Sequence, residues 1–192
     1  ATFLDMFGDP VANPNGWEKK LLTGCYISAK EGTKCGPFGS ALKKNEYTVN
    51  GIPVWTMDNI QSNRFVEGKS LFISEKKYNE LVGYKTEIND IIISRAGTVG
   101  KMCCIPFEGK AIISTNLIRL RLNHNILLPI FFTTLMSNWG PKVARLKTGS
   151  DDSFTHMNTG VLDNIELPVP PIALQNKFAE IVKNIEAQKA LL

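Results

Sequence analysis

The pattern of hydrophobic positions predicts a fully buried strand at residues 91–93. Three consecutive isoleucines suit a strand that is covered on both faces. Ser94 and Arg95 come directly after it, and the glycines of Gly-Thr-Val-Gly at 97–100 permit a tight turn. We therefore expect a basic loop held at the end of a rigid strand.

A second strand is predicted at residues 116–122, where apolar and basic residues alternate. This alternation places Leu120 and Leu122 on an inner face. It places Arg119 and Arg121 on an outer face, towards solvent.

The remaining periodic segments are short, and turn residues separate them. The run 103–105 is joined to 111–114 by a turn containing Pro and Gly, as in a hairpin. Pro53 indicates an edge strand or a strand start. Strands are predicted at 51–57, 71–73, 103–105, 111–114 and 165–167, and helices at 1–7, 74–82 and 130–139. Many short strands with few helices predict an irregular, strand-rich α+β fold and not a doubly wound sheet.

A heptad pattern follows the proline-rich segment 168–171 and predicts the start of a long coiled-coil helix. Gln188 is the polar residue of the pattern. The apolar positions, expected at a helix–helix interface, are Leu174, Phe178, Ile181, Ile185 and Leu192. The alternative is that this helix packs back on its own domain. The predicted organisation is the end of a preceding helix (1–9), a folded domain (10–168) and the long helix (169–192).

The loop at residues 90–101 has the chemistry of an anion-binding element and not of a catalytic one. It offers Arg95, Thr98 and Lys101 but no base and no activated nucleophile. It is not a nucleotide-binding phosphate loop, since Met102 stands where that motif needs a hydroxyl. The alternative is a plain β-turn with basic residues facing water.

A second glycine-rich loop lies at residues 34–40 and precedes Lys43 and Lys44. Its glycines, at 36 and 39, allow the backbone to approach another molecule closely. Phe38 offers a flat apolar face to a ligand, or alternatively fills the core beneath the turn.

Charge is distributed unevenly along the chain, whose net charge is +4. Residues 91–149 contain eight basic residues and a single acidic one, Glu108. This imbalance predicts a polyanionic partner. The alternative is a solvated face that acidic segments balance after folding.

Other functional classes find little support in the residues. No apolar run reaches the roughly 18 residues of a membrane helix. The four cysteines have no zinc-type spacing, which favours buried thiols in a reduced, cytoplasmic protein. His124 and His156 are the only histidines and stand in no recognisable nucleophile arrangement. Dinucleotide-binding and metal-ligand patterns are lacking too.

Four stretches taken together resemble the specificity subunit of type I restriction-modification systems. They are 36–43 (GPFGSALK), 90–101 (DIIISRAGTVGK), 147–150 (KTGS) and 162–172 (LDNIELPVPPI) running into the heptad helix. Residues 7–17 resemble the junction where a long helix of that family enters a recognition domain. The family usually has Glu-Gln after the paired prolines, and here Leu174-Gln175 retains only the glutamine.

The resemblance implies a non-catalytic DNA target recognition domain that reads one half of a bipartite site. The expected partners are double-stranded DNA, modification (methyltransferase) and restriction subunits, and a second recognition domain or another copy through the coiled coil. No cofactor is expected in this chain, because S-adenosylmethionine, ATP and Mg belong to the partner subunits. The rival hypothesis is a protein-interaction module that dimerises through its heptad helix.

The candidate DNA-binding residues are basic, hydroxyl or aromatic residues of the loops: Lys43, Lys44, Arg95, Thr98, Lys101, Lys147, Ser150, Ser153 and Phe154. Basic side chains neutralise phosphates, whereas base edges are read by hydrogen bonds in the major groove. The glycines Gly36, Gly39, Gly97 and Gly100 are predicted to be architectural. Because a motif shared by a family with diverse targets cannot encode each target, residues 30–34 or 58–64 are alternative base readers.

Overall fold

The structure is a computed structural model that describes residues 2–61, 63–68, 71–96, 98–148, 157–189 and 191, with the backbone alone for residues 2 and 140–148. The strands are β1 (Lys19–Leu21), β2 (Thr33–Cys35), β3 (Tyr47–Thr48), β4 (Ile52–Trp55), β5 (Ile60–Gln61), β6 (Arg64–Phe65), β7 (Leu71–Ile73), β8 (Ile91–Ser94), β9 (Met102–Cys104), β10 (Ile112–Ile113), β11 (Leu117–Leu120) and β12 (Glu166–Pro168). The α-helices are α1 (Thr2–Phe7), α2 (Glu75–Glu80), α3 (Pro129–Thr148), α4 (Thr159–Asp163) and α5 (Ile172–Lys189). The predicted strand-rich α+β class is confirmed.

The first four-stranded sheet has the order β2-β11-β8-β9 and is antiparallel throughout. The isoleucines of β8 are fully buried and divide between its two faces. Ile91 and Ile93 pack on a helical layer that contains Phe131 and Phe178, whereas Ile92 packs with Trp55 of the second sheet. The prediction of a strand covered on both faces is confirmed.

The second four-stranded sheet has the order β10-β4-β7-β3, with β10 parallel to β4. The hairpin predicted between residues 103–105 and 111–114 is wrong, because β9 pairs with β8 whereas β10 crosses to β4. Pro53 lies near the start of β4, outside the two residues that β10 pairs, Val54 and Trp55. Two further pairs, β1-β12 and β5-β6, complete the strands of the described residues.

Arg119 is fully buried, which contradicts its predicted place on a solvent face. Its neighbours in β11, Ile118 and Leu120, pack on the helical layer, so alternation turns Arg119 towards the second sheet. There its guanidinium donates to the Lys85 carbonyl at 2.7 Å and to the Glu31 carboxylate at 2.8 Å. The pattern was misleading because this strand has no solvent face.

The amino-terminal half of α5 packs on its own domain. Phe178 is buried in the core cluster that contains Phe131 of α3, and its ring lies 5.5 Å from those of Phe3 and Phe7 in α1. Further along the helix, Ile185 is 38% exposed, and Arg64 of the β5-β6 pair forms an ion pair with Glu186. Packing back on the domain thus accounts for the first part of the heptad pattern, and a coiled coil remains a prediction for the rest.

Gln175 fixes the start of α5 and is fully buried. Its amide nitrogen donates to the carbonyls of Ile126, at 3.0 Å, and Pro170, at 2.9 Å. Its amide oxygen accepts from the backbone N–H of Leu128 at 2.9 Å. One side chain in the first turn of α5 thereby bonds to the proline segment and to the residues just before α3.

Among the described helices, none has the length and apolar character needed to cross a membrane.

Candidate nucleic-acid interface

Several loops emerge from the same end of the two packed sheets. The register pairs Ser94 with Leu117 and Cys35 with Ile118, so the loops 36–39, 95–101 (described apart from residue 97) and 114–116 leave the first sheet together. In the second sheet, the N–H of Ser114 donates to the Trp55 carbonyl at 2.8 Å, which brings residues 56–58 to the same end. We call these four segments the loop end.

The two glycine-rich loops touch each other at the loop end. The guanidinium carbon of Arg95 lies 4.7 Å from the centroid of the Phe38 ring, within the range of a cation–π interaction. Phe38 is 54% exposed, so it does not fill the core beneath its turn. An exposed aromatic ring and a cation therefore form one composite surface.

The turn at residues 114–116 is bonded to both glycine-rich loops. The Thr115 hydroxyl donates to the Pro37 carbonyl at 2.7 Å, and the Arg95 N–H donates to the Asn116 carbonyl at 3.0 Å. A Cβ at position 36 would lie 1.9 Å from the Ser114 carbonyl oxygen, so this close approach requires glycine.

Ser94 closes the turn that follows β8. Its buried hydroxyl donates to the Thr98 carbonyl and accepts from the Lys101 N–H at 3.0 Å. Gly100 has a φ of 86°, a conformation that favours glycine, and its N–H donates to the Ser94 carbonyl at 2.9 Å. This role of Ser94 was not predicted, although a serine at the end of a buried strand is a recognisable turn-forming residue.

The cationic groups of the loop end differ in their surroundings. Lys101 and Thr98 are exposed, whereas Arg95 is half-buried and its Nη1 has no hydrogen-bond partner among the described residues. Lys43 and Lys44 are exposed beyond the first glycine-rich loop, and the N–H of Lys43 donates to Glu46 at 2.6 Å. The positively charged side chains of Arg95 and Lys101 thus have no acidic partner within the described chain.

The other predicted binding residues, Lys147, Ser150, Ser153 and Phe154, have no described side chain. Lys147 belongs to α3, in the part for which only the backbone is described. Ser150, Ser153 and Phe154 lie outside the described residues, as does Gly97. Gly39 has a φ of 57° in the first glycine-rich loop.

An open cleft of about 420 Å³ lies at the loop end, beside the Phe38–Arg95 pair. Its wall includes the turn that both glycine-rich loops contact. The lining residues that offer polar groups are Tyr47, Thr56, Asp58, Ser114, Thr115 and Asn116. The cleft has room for side-chain-sized or base-edge-sized groups.

Much of the positive charge of residues 91–149 is neutralised by folding. Arg121 donates two hydrogen bonds to the buried Asp90 carboxylate, from Nε at 2.7 Å and from Nη2 at 2.8 Å. Arg119 pairs with Glu31, and Lys110 pairs with Glu75. Acidic segments therefore balance the charge of these three cations after folding, as the alternative predicted. Within the described residues, the unbalanced positive charge of this segment remains at the loop end.

The ion cluster around Arg119 perturbs the pKa of its carboxylates. Partial burial alone would raise the pKa of Glu31, but the hydrogen bond and charge of Arg119 lower it below its usual value. The hydrogen bond from the Lys85 side chain lowers the pKa of Glu87, and the charge of Arg121 adds to this effect. The cluster lies by the start of β8, at the opposite end of the first sheet from the loop end.

The groups that could support catalysis or bind metal are dispersed. Cys25 and Cys103 are buried, and burial raises the pKa of the Cys103 thiol to about 12 and that of Cys104 to about 11. No group of three potential metal-ligating side chains occurs among the described residues. His124 lies on an exposed turn near Arg121, and His156 lies outside the described residues.

A family model described as the type I restriction modification DNA specificity domain matches residues 36–192. The match begins at the first glycine-rich loop and spans most of the chain. The protein therefore belongs to the family of type I restriction-modification DNA specificity domains.

A putative type I restriction enzyme MjaX specificity subunit from Methanocaldococcus jannaschii is 23% identical over 180 residues. This alignment covers 90% of the present chain and 40% of the archaeal protein. The chain thus spans about two fifths of the length of that relative.

Solved structures have the same fold. The HsdS subunit from Thermoanaerobacter tengcongensis superposes with a TM-score of 0.61 at 17% identity, over 93% of this chain and 39% of that one. The S subunit of the type I system from M. genitalium gives a TM-score of 0.58 at 18% identity, over 97% and 43% of the two chains. At these identities the likeness establishes the architecture alone.

Proposed function

We propose that this chain is a target recognition domain that reads one half of a bipartite DNA site for a type I restriction-modification complex. In this proposal the domain is residues 10–168, the chain itself is non-catalytic, and it works in the cytoplasm. Modification and restriction subunits dock on the assembled specificity subunit and supply S-adenosylmethionine, ATP and Mg.

The observation that carries the proposal is the contact between Phe38 and Arg95. It joins two loops from different strands into one exposed surface with cationic, aromatic and amide groups. Lys101 and Lys44 add positive charge for phosphates. The half-buried Arg95 keeps its positive charge at this surface, and a guanidinium suits a phosphate oxygen or a guanine edge.

The rival hypothesis of a module that dimerises through its heptad helix has weaker support. Phe178, a central position of the heptad pattern, is buried within the same chain, against α1 and in the core cluster that contains Phe131 of α3. A dimer through this face would require the helix to leave the core.

Two measurements test the proposal. The first is the affinity of the chain for random duplex DNA as a function of salt, which should fall steeply as the salt concentration rises. A flat response would contradict DNA binding. The second is methylome sequencing of cells that carry the complete system, which should reveal a split target. A continuous target would contradict half-site reading.

A further inference from the structure

We propose that Asp58 and Asn116 read base edges within the cleft of the loop end. Asp58 accepts a hydrogen bond from the exocyclic amino group of a cytosine, and Asn116 pairs with an adenine in the major groove. The inference rests on the proposed DNA-binding function and assigns the choice of bases to two residues outside the glycine-rich loops.

Among the described residues, none bonds to the Asp58 carboxylate. The 3-10 turn Met57–Asn59 is capped by Thr56, whose hydroxyl accepts the Asp58 N–H at 3.3 Å. The buried Asn59 holds the turn from the other side, since its amide accepts from Thr56 at 2.9 Å and donates to Val66 at 3.0 Å. Asp58 is exposed between these two fixed residues and forms no ion pair with any described residue.

The Asn116 side chain is also free, on a backbone that is fixed. Its carbonyl accepts the Arg95 N–H at 3.0 Å, and the adjacent Thr115 hydroxyl is bonded to Pro37 at 2.7 Å. The Asn116 amide is exposed and has no hydrogen bond to a described residue. A free amide on a rigid turn retains both its donor and its acceptor for a ligand.

A carboxylate at a DNA-binding surface distinguishes base reading from phosphate binding. Next to phosphates, the Asp58 carboxylate would only repel, and it would weaken binding to every sequence alike. The cytosine N4 amino group is a major-groove donor that offsets this repulsion. A base without an amino group at that position leaves the carboxylate desolvated and unpaired, which is a basis for discrimination.

The test uses the assembled complex of the specificity subunit with its modification subunits, which selects duplexes from a pool with randomised target positions. The variants are Asp58→Asn, Asp58→Ser and Asn116→Ala, with Glu108→Gln as the matched control. Glu108 is an exposed acid that follows β9, near the opposite end of the first sheet. Its neutralisation removes the same charge at a distance from the cleft.

Both Asp58 variants should bind the pool at least as tightly as wild type. Their preference for C·G at one position of the target should fall about tenfold. Asn116→Ala should lose about tenfold of the preference at one A·T pair. The Glu108→Gln variant should select the wild-type site. Two independent Asp58 substitutions guard against a folding defect in either one.

Selection of the wild-type site with unchanged preference by the Asp58 variants would overturn the assignment. So would a uniform loss of affinity without a change in sequence. A wild-type complex that enriches no sequence at all would instead overturn the proposed function, and this inference with it.

Discussion

The guanidinium of Arg95 lies 4.7 Å from the centroid of the Phe38 ring, so a cation at the end of β8 is held by an aromatic residue from the loop after β2. The ring restricts the orientations of the guanidinium before any ligand arrives. Such preorganisation reduces the entropy that binding would otherwise cost.

The first prediction concerns this pair. Phe38→Leu keeps an apolar side chain but removes the π face, so duplex affinity should fall by about 0.5–1 kcal/mol. Arg95→Ala should weaken binding by more, since it removes the charge itself. In a double-mutant cycle measured by fluorescence anisotropy, Phe38→Leu should have little further effect in the Arg95→Ala protein. Additive losses would indicate that the two side chains act independently.

The second prediction assigns Lys101 to the DNA backbone. Lys101→Ala should weaken binding to all duplexes alike and reduce the salt slope of log K by about 1. Lys76→Ala is the matched control, because this exposed lysine lies on α2, which follows the end of β7 away from the cleft. A change in target preference for Lys101→Ala would contradict the assignment.

The third prediction compares two Arg–Glu pairs. Arg119→Ala should lower the free energy of unfolding by about 3 kcal/mol, because it leaves the Lys85 carbonyl without its buried donor. Arg64→Ala removes a guanidinium that is 59% exposed, so the change should stay below about 1 kcal/mol. Urea unfolding at constant m-value measures both. Equal costs would show that burial does not determine the contribution of the pair.

The fourth prediction concerns Gln175. Gln175→Leu leaves three backbone groups without partners, one at a buried contact and two at half-buried ones, and should cost about 2 kcal/mol or more of unfolding free energy. Gln188→Leu places the same change on an exposed position of α5 and should have almost no effect. A small loss for Gln175→Leu would mean that water replaces the amide.

The fifth prediction is a pH dependence of stability. The pKa values of Glu31 and Glu87 are lower in the folded state than in the unfolded state. The two carboxylates therefore stabilise the fold fully above about pH 4.5, and this stabilisation is lost as the pH falls below that value. The double variant Glu31→Gln, Glu87→Gln should be less stable at neutral pH and lose less stability on acidification. Glu108→Gln should retain the wild-type profile, and an unchanged profile in the double variant would contradict the linkage.

The sequence predicts those parts of the fold that depend on local patterns. The buried strand at Ile91–Ser94, the start of α2 next to Ser74 and the end of α1 at Phe7 all follow from neighbouring residues. Strand pairing does not, because β9 and β10 are adjacent along the chain but join different sheets. The short helix α4 was likewise not predicted, since Thr159–Asp163 is too short to display a helical period.

The environment of Arg119 was hidden from the sequence for a physical reason. Alternation reports which residues share a face of a strand but not whether the other face meets water. Its acidic partner, Glu31, comes from a distant loop and is brought near by the pairing of β2 with β11. The contact between Phe38 and Arg95 also depends on strand pairing, which brings the loops after β2 and β8 together, so it could not be predicted from local patterns. Both loops had nevertheless been identified as candidate binding loops.

The three hydrogen bonds of Gln175 also have a mechanical consequence. Because they hold the first turn of α5 on the domain, they set the direction in which the helix leaves it. Along an α-helix, each added residue advances about 1.5 Å and rotates by about 100°. Inserting one residue after Glu186 would therefore rotate the last residues of α5 about the helix axis by about 100° relative to the loop end. Inserting seven residues, close to two full turns, would mainly lengthen the helix.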